Sequence, residues 1–356
     1  MKLGNPEDLT RAISLQEIDI QNTPATDRVL CAKFFELGKS FACRFDKFSD
    51  KNDYTSADKC LSTAVQNSSA TSWERLGVAA NWANWRFHTN PSTAIEAYTA
   101  AIQICPTIIN FGLNIADQHS RVQLIVIVIR DGVFTALKYG YLELATVWLD
   151  QGHSVIWNRI LQMRTPLEAL YLEYPQYCRR LKEISHQLES VPTYQDITPR
   201  IVQGRVKYSS DKLSLYQALA FEREELITTI RTLPKFSDFM GSITFEEIQR
   251  IIRSEGPLVM INLSQKGCDA LIVSLNEIDH LSLLQFTWKK AEDSVTSLTN
   301  LLHHMKIDQR ATRGVGLIYS TALNPDVIFK DILSQLWNDV AKPILNHLGI
   351  TVSHFI

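Results

Sequence analysis

The chain has 356 residues, 45% of them hydrophobic and 21% charged, which is the profile of a globular protein with a sizeable core, long enough for two domains. Its formal net charge of -2 leaves no electrostatic footprint for nucleic acid or for an anionic membrane. The first residues lack the apolar core of a signal peptide. The longest aliphatic run, Val122 to Ile129 interrupted by Gln123, is too short to cross a bilayer.

The first half of the chain repeats itself. Glu7–Asn22 falls without a gap on Asn52–Asn67, matching Asp8 to Asp53, Ala12 to Ala57 and Gln21 to Gln66; a third copy, Pro91–Pro106, matches Ala94, Ala101 and Gln103 to Ala57, Ala64 and Gln66. Repetition at this period predicts a helical array, because each helix pair has an apolar face that only its neighbour can cover. Phe34, Leu37, Gly38 and Phe41 followed by Ala57, Leu61 and Ala64, and Trp73, Leu76 and Gly77 followed by Ala94, Tyr98, Ala101 and Pro106, resemble the tetratricopeptide repeat. The long steps from Gly38 to Ala57 and from Gly77 to Ala94 predict extended loops between the paired helices. The first copy has no opening helix before it, so the chain is expected to start inside a longer array. A divergent fourth unit, Ile125–Trp157, places Ala136, Ala145, Leu149 and Gly152 at helical spacing, and Trp148 and Trp157 are read as core.

Further along, Pro166 should stop a helix, and Pro175–Glu189 reads as an amphipathic helix with Arg179, Arg180, Lys182 and Glu183 solvated. Ser190–Ser210, holding Pro192, Pro199 and Gly204, reads as a linker. Helix resumes over Leu213–Leu233, with Leu215, Leu219, Leu226 and Ile230 inward and Glu222, Arg223, Glu224 and Glu225 exposed, until Pro234 ends it. Ile243–Arg253, capped by Ser242 or Thr244, then delivers the chain to three apolar runs, Leu258–Leu263, Ala270–Leu275 and Leu281–Phe286, with corners at Ser264–Asp269 and Asn276–His280. These predict a small antiparallel meander. A last helix, Val327–Leu348 after Asn324, should be bent or split by Pro343.

The stretches Arg231–Phe239, Glu255–Ser264 and Cys268–Val273, with Gln162–Leu167 upstream and Leu336–Leu345 near the end, resemble the opening of a CHAT domain, a caspase- and separase-like domain found after tetratricopeptide repeats, especially in fungal proteins. The resemblance implies a mainly α fold: a helical repeat array over 1–189, a linker over 190–212, and over 213–356 a small incomplete α/β region with a β-meander. It also implies that the family's catalytic His and Cys would lie beyond the chain, leaving either an interaction scaffold or a fragment of a cysteine endopeptidase.

No residue pair present replaces that dyad on sequence grounds. Cys268 and His280 should sit at opposite ends of a strand roughly 20 Å long. Cys178 and His186 are two helical turns apart. His303 and His304 point in different directions on a helix, and Gly314 with Gly316 lacks the rest of a phosphate loop. Cys31, Cys43, Cys60, Cys105, Cys178 and Cys268 occur singly, without metal-ligand spacing, as expected of reduced thiols in a cytoplasmic or nuclear protein. The expectations are therefore no catalytic, cofactor or metal residues; protein partners on the repeat surface; no nucleic acid and no membrane; and self-association through an exposed sheet edge.

Overall fold

The repeated stretches fold as a run of helices: α1 (Pro6–Gln21), α2 (Val29–Phe48), α3 (Lys51–Gln66), α4 (Ser72–Thr89) and α5 (Ala94–Ile109), each packed on the next. This computed structural model describes residues 6–109, 115–161, 167–190, 200–202, 205–207, 210–236, 239, 245–311 and 325–350. Helix α2 buries Leu30, Cys31, Leu37, Gly38, Phe41 and Ala42, one stripe at helical period. At the crossings with α3 and between α4 and α5 the residues that approach most closely are small. Ala57, Ala64, Ala94, Ala97 and Ala101 are fully buried, and large neighbours such as Leu76 and Ile102 fill the space beside them. Each such large side chain contributes about 1.5–3 kcal/mol by burial, so packing rather than propensity holds these helices.

The loops are short, contrary to the expectation. Two residues link α2 to α3: Ser49 turns the chain at φ 55°, its N–H bonded to Phe45 O at 2.7 Å, and Asp50 at once caps α3 by accepting from Asn52 N at 2.9 Å. Thr71 and Glu74 form a reciprocal capping box at the start of α4. A short 3-10 turn, Pro91–Thr93, leads directly into α5, which runs past Pro106 to Ile109. The extra residues of each repeat thus lengthen the helices, 20 residues in α2 and 18 in α4. Polar ties reinforce the crossings. Buried Asp53 takes a bidentate contact from Arg44, at 2.8 and 2.6 Å.

Helices α6 (Ile115–Lys138) and α7 (Leu142–Leu161) follow, joined by a turn in which Gly140 has φ +80°. Gly152 lies where a Cβ would come within 2.9 Å of Ile129, and Trp148 is buried as expected; the side chain of Trp157 lies outside the described residues. Next, α8 (Leu167–Glu173), α9 (Pro175–Ser190) and α10 (Ser210–Arg231) enclose a core of Leu170, Cys178, Leu181, Ile227 and Ile230, closed by Phe236 and Phe239. Two departures arise here. The expected linker contains a two-stranded antiparallel ladder, β1 (Arg200–Val202) with β2 (Arg205–Lys207). Arg223, expected in solvent, is 2% exposed, because it falls beside Ile227 and Ile230 on the inward side of α10. Arg180 does remain on the outer side, paired with Glu222 and Glu183. Pro166 and the capping residues Ser242 and Thr244 lie outside the described residues.

The chain divides into two compact units, Met1–Thr135 with Asp150–Ile243, and Ala136–Leu149 with Thr244–Ile356. In the second, α11 (Phe245–Glu255) precedes the antiparallel sheet β3 (Leu258–Ser264), β4 (Gly267–Val273) and β5 (Ile278–Ser282), in that spatial order. A three-strand antiparallel meander is as expected, but its third strand lies earlier than the expected run Leu281–Phe286; the middle strand is buried on both faces from Cys268 to Val273. One face, with Cys268, Ala270 and Ile272, packs on Val340 and Ile344. Helix α12 (Trp288–Ala311) ties to the closing helices through Lys290 Nζ to Asp339 Oδ2 at 2.8 Å. Pro343 distorts the last helix without interrupting it. Helix α13 (Pro325–Leu336) widens into a π turn over Trp337–Ala341, which bonds Lys342 N to Trp337 O, and α14 (Lys342–His347) starts with the proline in its first turn, where a missing N–H is harmless.

Candidate functional site

The sheet tests the thiol and imidazole directly. Both strand ends differ from the expectation. The β3–β4 corner is only Gln265 and Lys266, so Cys268 belongs to β4, and His280 sits inside β5 opposite Leu271. Successive strand residues face opposite sides. Cys268 therefore shares the face of Ala270 and Ile272, while His280 shares the face of Asp269 and Leu271. The two are separated by the sheet itself rather than by its length. Burial, with the nearby Asp269 carboxylate adding to it, pushes the Cys268 thiol up to about 12, so it is protonated at neutral pH and is no nucleophile.

His280 has a different partner. Its Nε2 lies 2.8 Å from Asp269 Oδ1, and Ser282 Oγ donates to the same oxygen at 3.0 Å. Register makes this inevitable, since Asp269 and Ser282 are cross-strand partners and His280 is the next residue on that face. The trio has the residue types of a hydrolytic triad without its order: the serine hydroxyl is spent on the aspartate and not on the imidazole. It clamps β5 to β4. The sequence pattern puts Asp269 and His280 in separate corners, and only register joins them.

The second unit also holds an open cleft of about 570 Å³ between the α6–α7 turn, the start of α11 and the β4–β5 turn. Its polar lining is Glu143, Gln249, Ser274, Asn276 and Glu277, with Tyr141 and Phe245 beside them. It holds neither thiol nor imidazole. Among the described residues no group of His, Cys, Asp and Glu could hold a metal ion, and no helix is long and apolar enough to cross a membrane. Cys178 is buried against Leu167 O while His186 on the same helix is exposed, so they do not meet. The side chains of His303 and His304, and Gly314 and Gly316 altogether, lie outside the described residues.

The remaining candidate surface is on the array. Helices α2 and α4 run side by side, their starts joined by Arg28 to Glu74 at 2.6 and 3.1 Å. Burial alone would raise the Glu74 carboxyl, but the bonds from Arg28 and Thr71 outweigh it and hold the group below its ordinary range. Opposite the buried stripe, α2 exposes Ala32, Glu36, Lys39 and Cys43 at helical period, and α4 exposes Asn81, Asn84 and His88 beside half-buried Gly77. A Cβ at Gly77 would meet nothing within 4 Å. The stripe is uncharged over Gly77, Asn81 and Asn84, and carboxamides both donate and accept hydrogen bonds. Sequence periodicity could have marked it, because Asn81 and Asn84 interrupt the apolar positions of α4 at a helical step.

The thiols provide a chemical check. Burial pushes Cys31 and Cys60 up to about 11 and Cys105 up to about 12, while Cys43 alone among the six is exposed. Brief alkylation of the native protein, read by peptide mass spectrometry, is expected to modify Cys43 first and Cys31, Cys105 and Cys268 only after unfolding. Modification of Cys268 at the rate of Cys43 would contradict its placement inside the sheet.

No protein-family model, no curated protein and no solved structure matches this chain.

Proposed function

We propose that the protein is a non-catalytic interaction scaffold: a tetratricopeptide-like array that takes a protein partner on its α2–α4 surface, joined to a region resembling the N-terminal part of a CHAT domain. The observation that carries this reading is the packing of consecutive helices through small residues, Gly38, Ala57, Ala64, Ala94 and Ala101, which gives an array with repeated helix faces turned to solvent. The protonated, buried Cys268 and its separation from His280 support the non-catalytic half. The Gly77, Asn81 and Asn84 stripe suits an extended peptide segment, since the glycine leaves room for a close backbone, and the Asn84 carboxamide and the Oδ1 of Asn81, whose Nδ2 donates to Gly77 O at 2.7 Å, can pair with its N–H and C=O groups.

The test begins with a partner identified by cross-linking in the source cells, whose affinity is then measured against purified protein. The double variant Asn81→Ala/Asn84→Ala is expected to weaken binding by about tenfold or more, on the scale of one or two lost hydrogen bonds, with unchanged circular dichroism. Undiminished binding would remove the α4 surface from the proposal. Peptidase activity of the purified chain that disappears in Cys268→Ala would overturn the scaffold reading altogether.

A further inference from the structure

The cleft of the second unit has stiff walls. On one side α6 ends in a left-handed turn: Gly140 has φ +80°, its N donates to Leu137 O at 3.1 Å, and Tyr141 N donates to Ala136 O at 2.9 Å. This sets Tyr141 and Glu143 at the start of α7. On another side Ser274 donates twice to Glu277 O, from N at 2.9 Å and from Oγ at 3.0 Å, closing the β4–β5 turn that carries Asn276 and Glu277. Phe245 and Gln249, one turn apart at the start of α11, complete the lining. The volume of about 570 Å³ is that of a small-molecule site.

The chemistry of the cleft is one-sided. Segments 139–145, 242–249 and 273–279, from which every described lining residue comes, hold five carboxylates, Glu143, Glu246, Glu247, Glu277 and Asp279, and no lysine, arginine or histidine. Glu143 and Glu277 line the cleft itself. The bases next along the chain are turned elsewhere. Lys138 Nζ lies over the Tyr139 ring, 5.9 Å from its centre, His280 is held by Asp269, and Arg250 follows Gln249 about 100° further round α11. Among the described residues no hydrogen bond or ion pair engages the side chains of Glu143, Gln249, Asn276 or Glu277. Tyr141, 49% exposed, and Phe245 add ring faces.

We infer that this cleft binds a small organic cation, an alkylammonium group on a methylene chain. An anion would meet two carboxylates that nothing neutralises. A metal ion would lack ligands, since among the described residues no three His, Cys, Asp and Glu side chains come together to hold one. An alkylammonium uses every kind of group in the lining. Its N–H groups donate to the carboxylates and to the carboxamide oxygens of Gln249 and Asn276, and its charge faces the rings of Tyr141 and Phe245. Its methylenes cover the apolar side chains of Leu142, Leu144 and Ile278. A free polyamine and a lysine side chain of another protein present this same chemistry. The inference is independent of the α2–α4 surface.

Isothermal titration calorimetry of the full chain at low ionic strength is expected to show saturable binding of an alkylammonium probe. Spermidine stands for the free amine and Nα-acetyl-lysine amide for a lysine side chain, and the tighter of the two names the source. Glu143→Gln/Glu277→Gln is expected to weaken that binding by about tenfold, and Tyr141→Ala by about two- to fivefold. All three residues are exposed, so the circular dichroism should not change. Glu292→Gln/Asp293→Asn removes the same charge from exposed positions of α12 outside the cleft and is expected to leave binding unchanged. No saturable binding of either probe at millimolar concentration, undiminished binding by the double glutamate variant, or equal weakening by the α12 pair would each overturn the proposal.

Discussion

Arg86→Met is expected to destabilise the array by about 3 kcal/mol, the lower end of the range for breaking a buried ion pair. Arg86 is 6% exposed in the last turn of α4 and ties three helices together. Its Nε and one Nη meet the two oxygens of Asp58 on α3 at 2.6 and 2.7 Å; the other Nη meets Thr93 O at 2.9 Å and Glu96 on α5 at 2.7 Å. The guanidinium also stacks on Trp82, 4.5 Å from the ring centre, and Trp82 Nε1 donates to the same Asp58 oxygen at 2.7 Å. Burial lowers the pKa of Arg86, but the hydrogen bonds to Asp58 and Glu96 outweigh that effect and raise it, so the charge is permanent.

Methionine keeps most of the packing and removes the charge, leaving the Asp58 carboxylate with only the indole donor. Asp58 is 24% exposed on its side chain and recovers some hydration, which sets the figure at the low end; Glu96, at 72%, contributes little. Adding Asp58→Asn to Arg86→Met is expected to restore about half of the loss, because the uncompensated charge is then gone. Lysine at position 86 cannot reach all of these acceptors and is expected to fall between the two. Urea unfolding followed by far-UV circular dichroism would decide it. A loss under about 0.5 kcal/mol for Arg86→Met would mean that the cluster is solvated and not structural.

This cluster shows where sequence reading succeeds and where it stops. Repeats are visible because close helix crossings demand small residues, and the same demand recurs at Ala57, Ala94, Ala64 and Ala101. The meander is visible because β4 is buried on both faces and so reads as one apolar run. Pro343 is visible because a missing N–H must disturb a helix. Properties that depend on a partner far along the chain are not visible. The steps from Gly38 to Ala57 and from Gly77 to Ala94 read as long loops, since counting residues does not reveal that Ser49 turns left-handed and lets α2 run on. Arg223 reads as solvated because it carries a charge. Cys268 and His280 read as the two ends of one strand, and only the register of β4 on β5 shows that they are on opposite faces. The tetratricopeptide and CHAT resemblances rest on motif residues alone.

The two glycines that occupy the same place in their repeats, Gly38 after Leu37 and Gly77 after Leu76, are expected to respond to alanine with opposite signs. A Cβ at Gly38 would lie 2.9 Å from both Cγ and Cδ2 of Leu61 and 3.3 Å from Cys60 Cβ. Leu61 is 2% exposed and cannot step aside without moving α3, so overpacking of about 1–3 kcal/mol opposes a helix-propensity gain of at most about 1 kcal/mol. Gly38→Ala should therefore lower the stability of the array by up to about 2 kcal/mol. At Gly77 the added methyl meets nothing within 4 Å, so only the propensity difference acts and Gly77→Ala should stabilise by about 0.5–1 kcal/mol. Urea midpoints shifted in the same direction for both variants would refute the close approach of α2 to α3. If the signs do differ, Gly38 is explained by packing within the chain and Gly77 is not: α4 forgoes helix stability there although no neighbour among the described residues crowds the position. The proposed partner surface would supply the missing reason, since Gly77 shares its exposed stripe with Asn81 and Asn84.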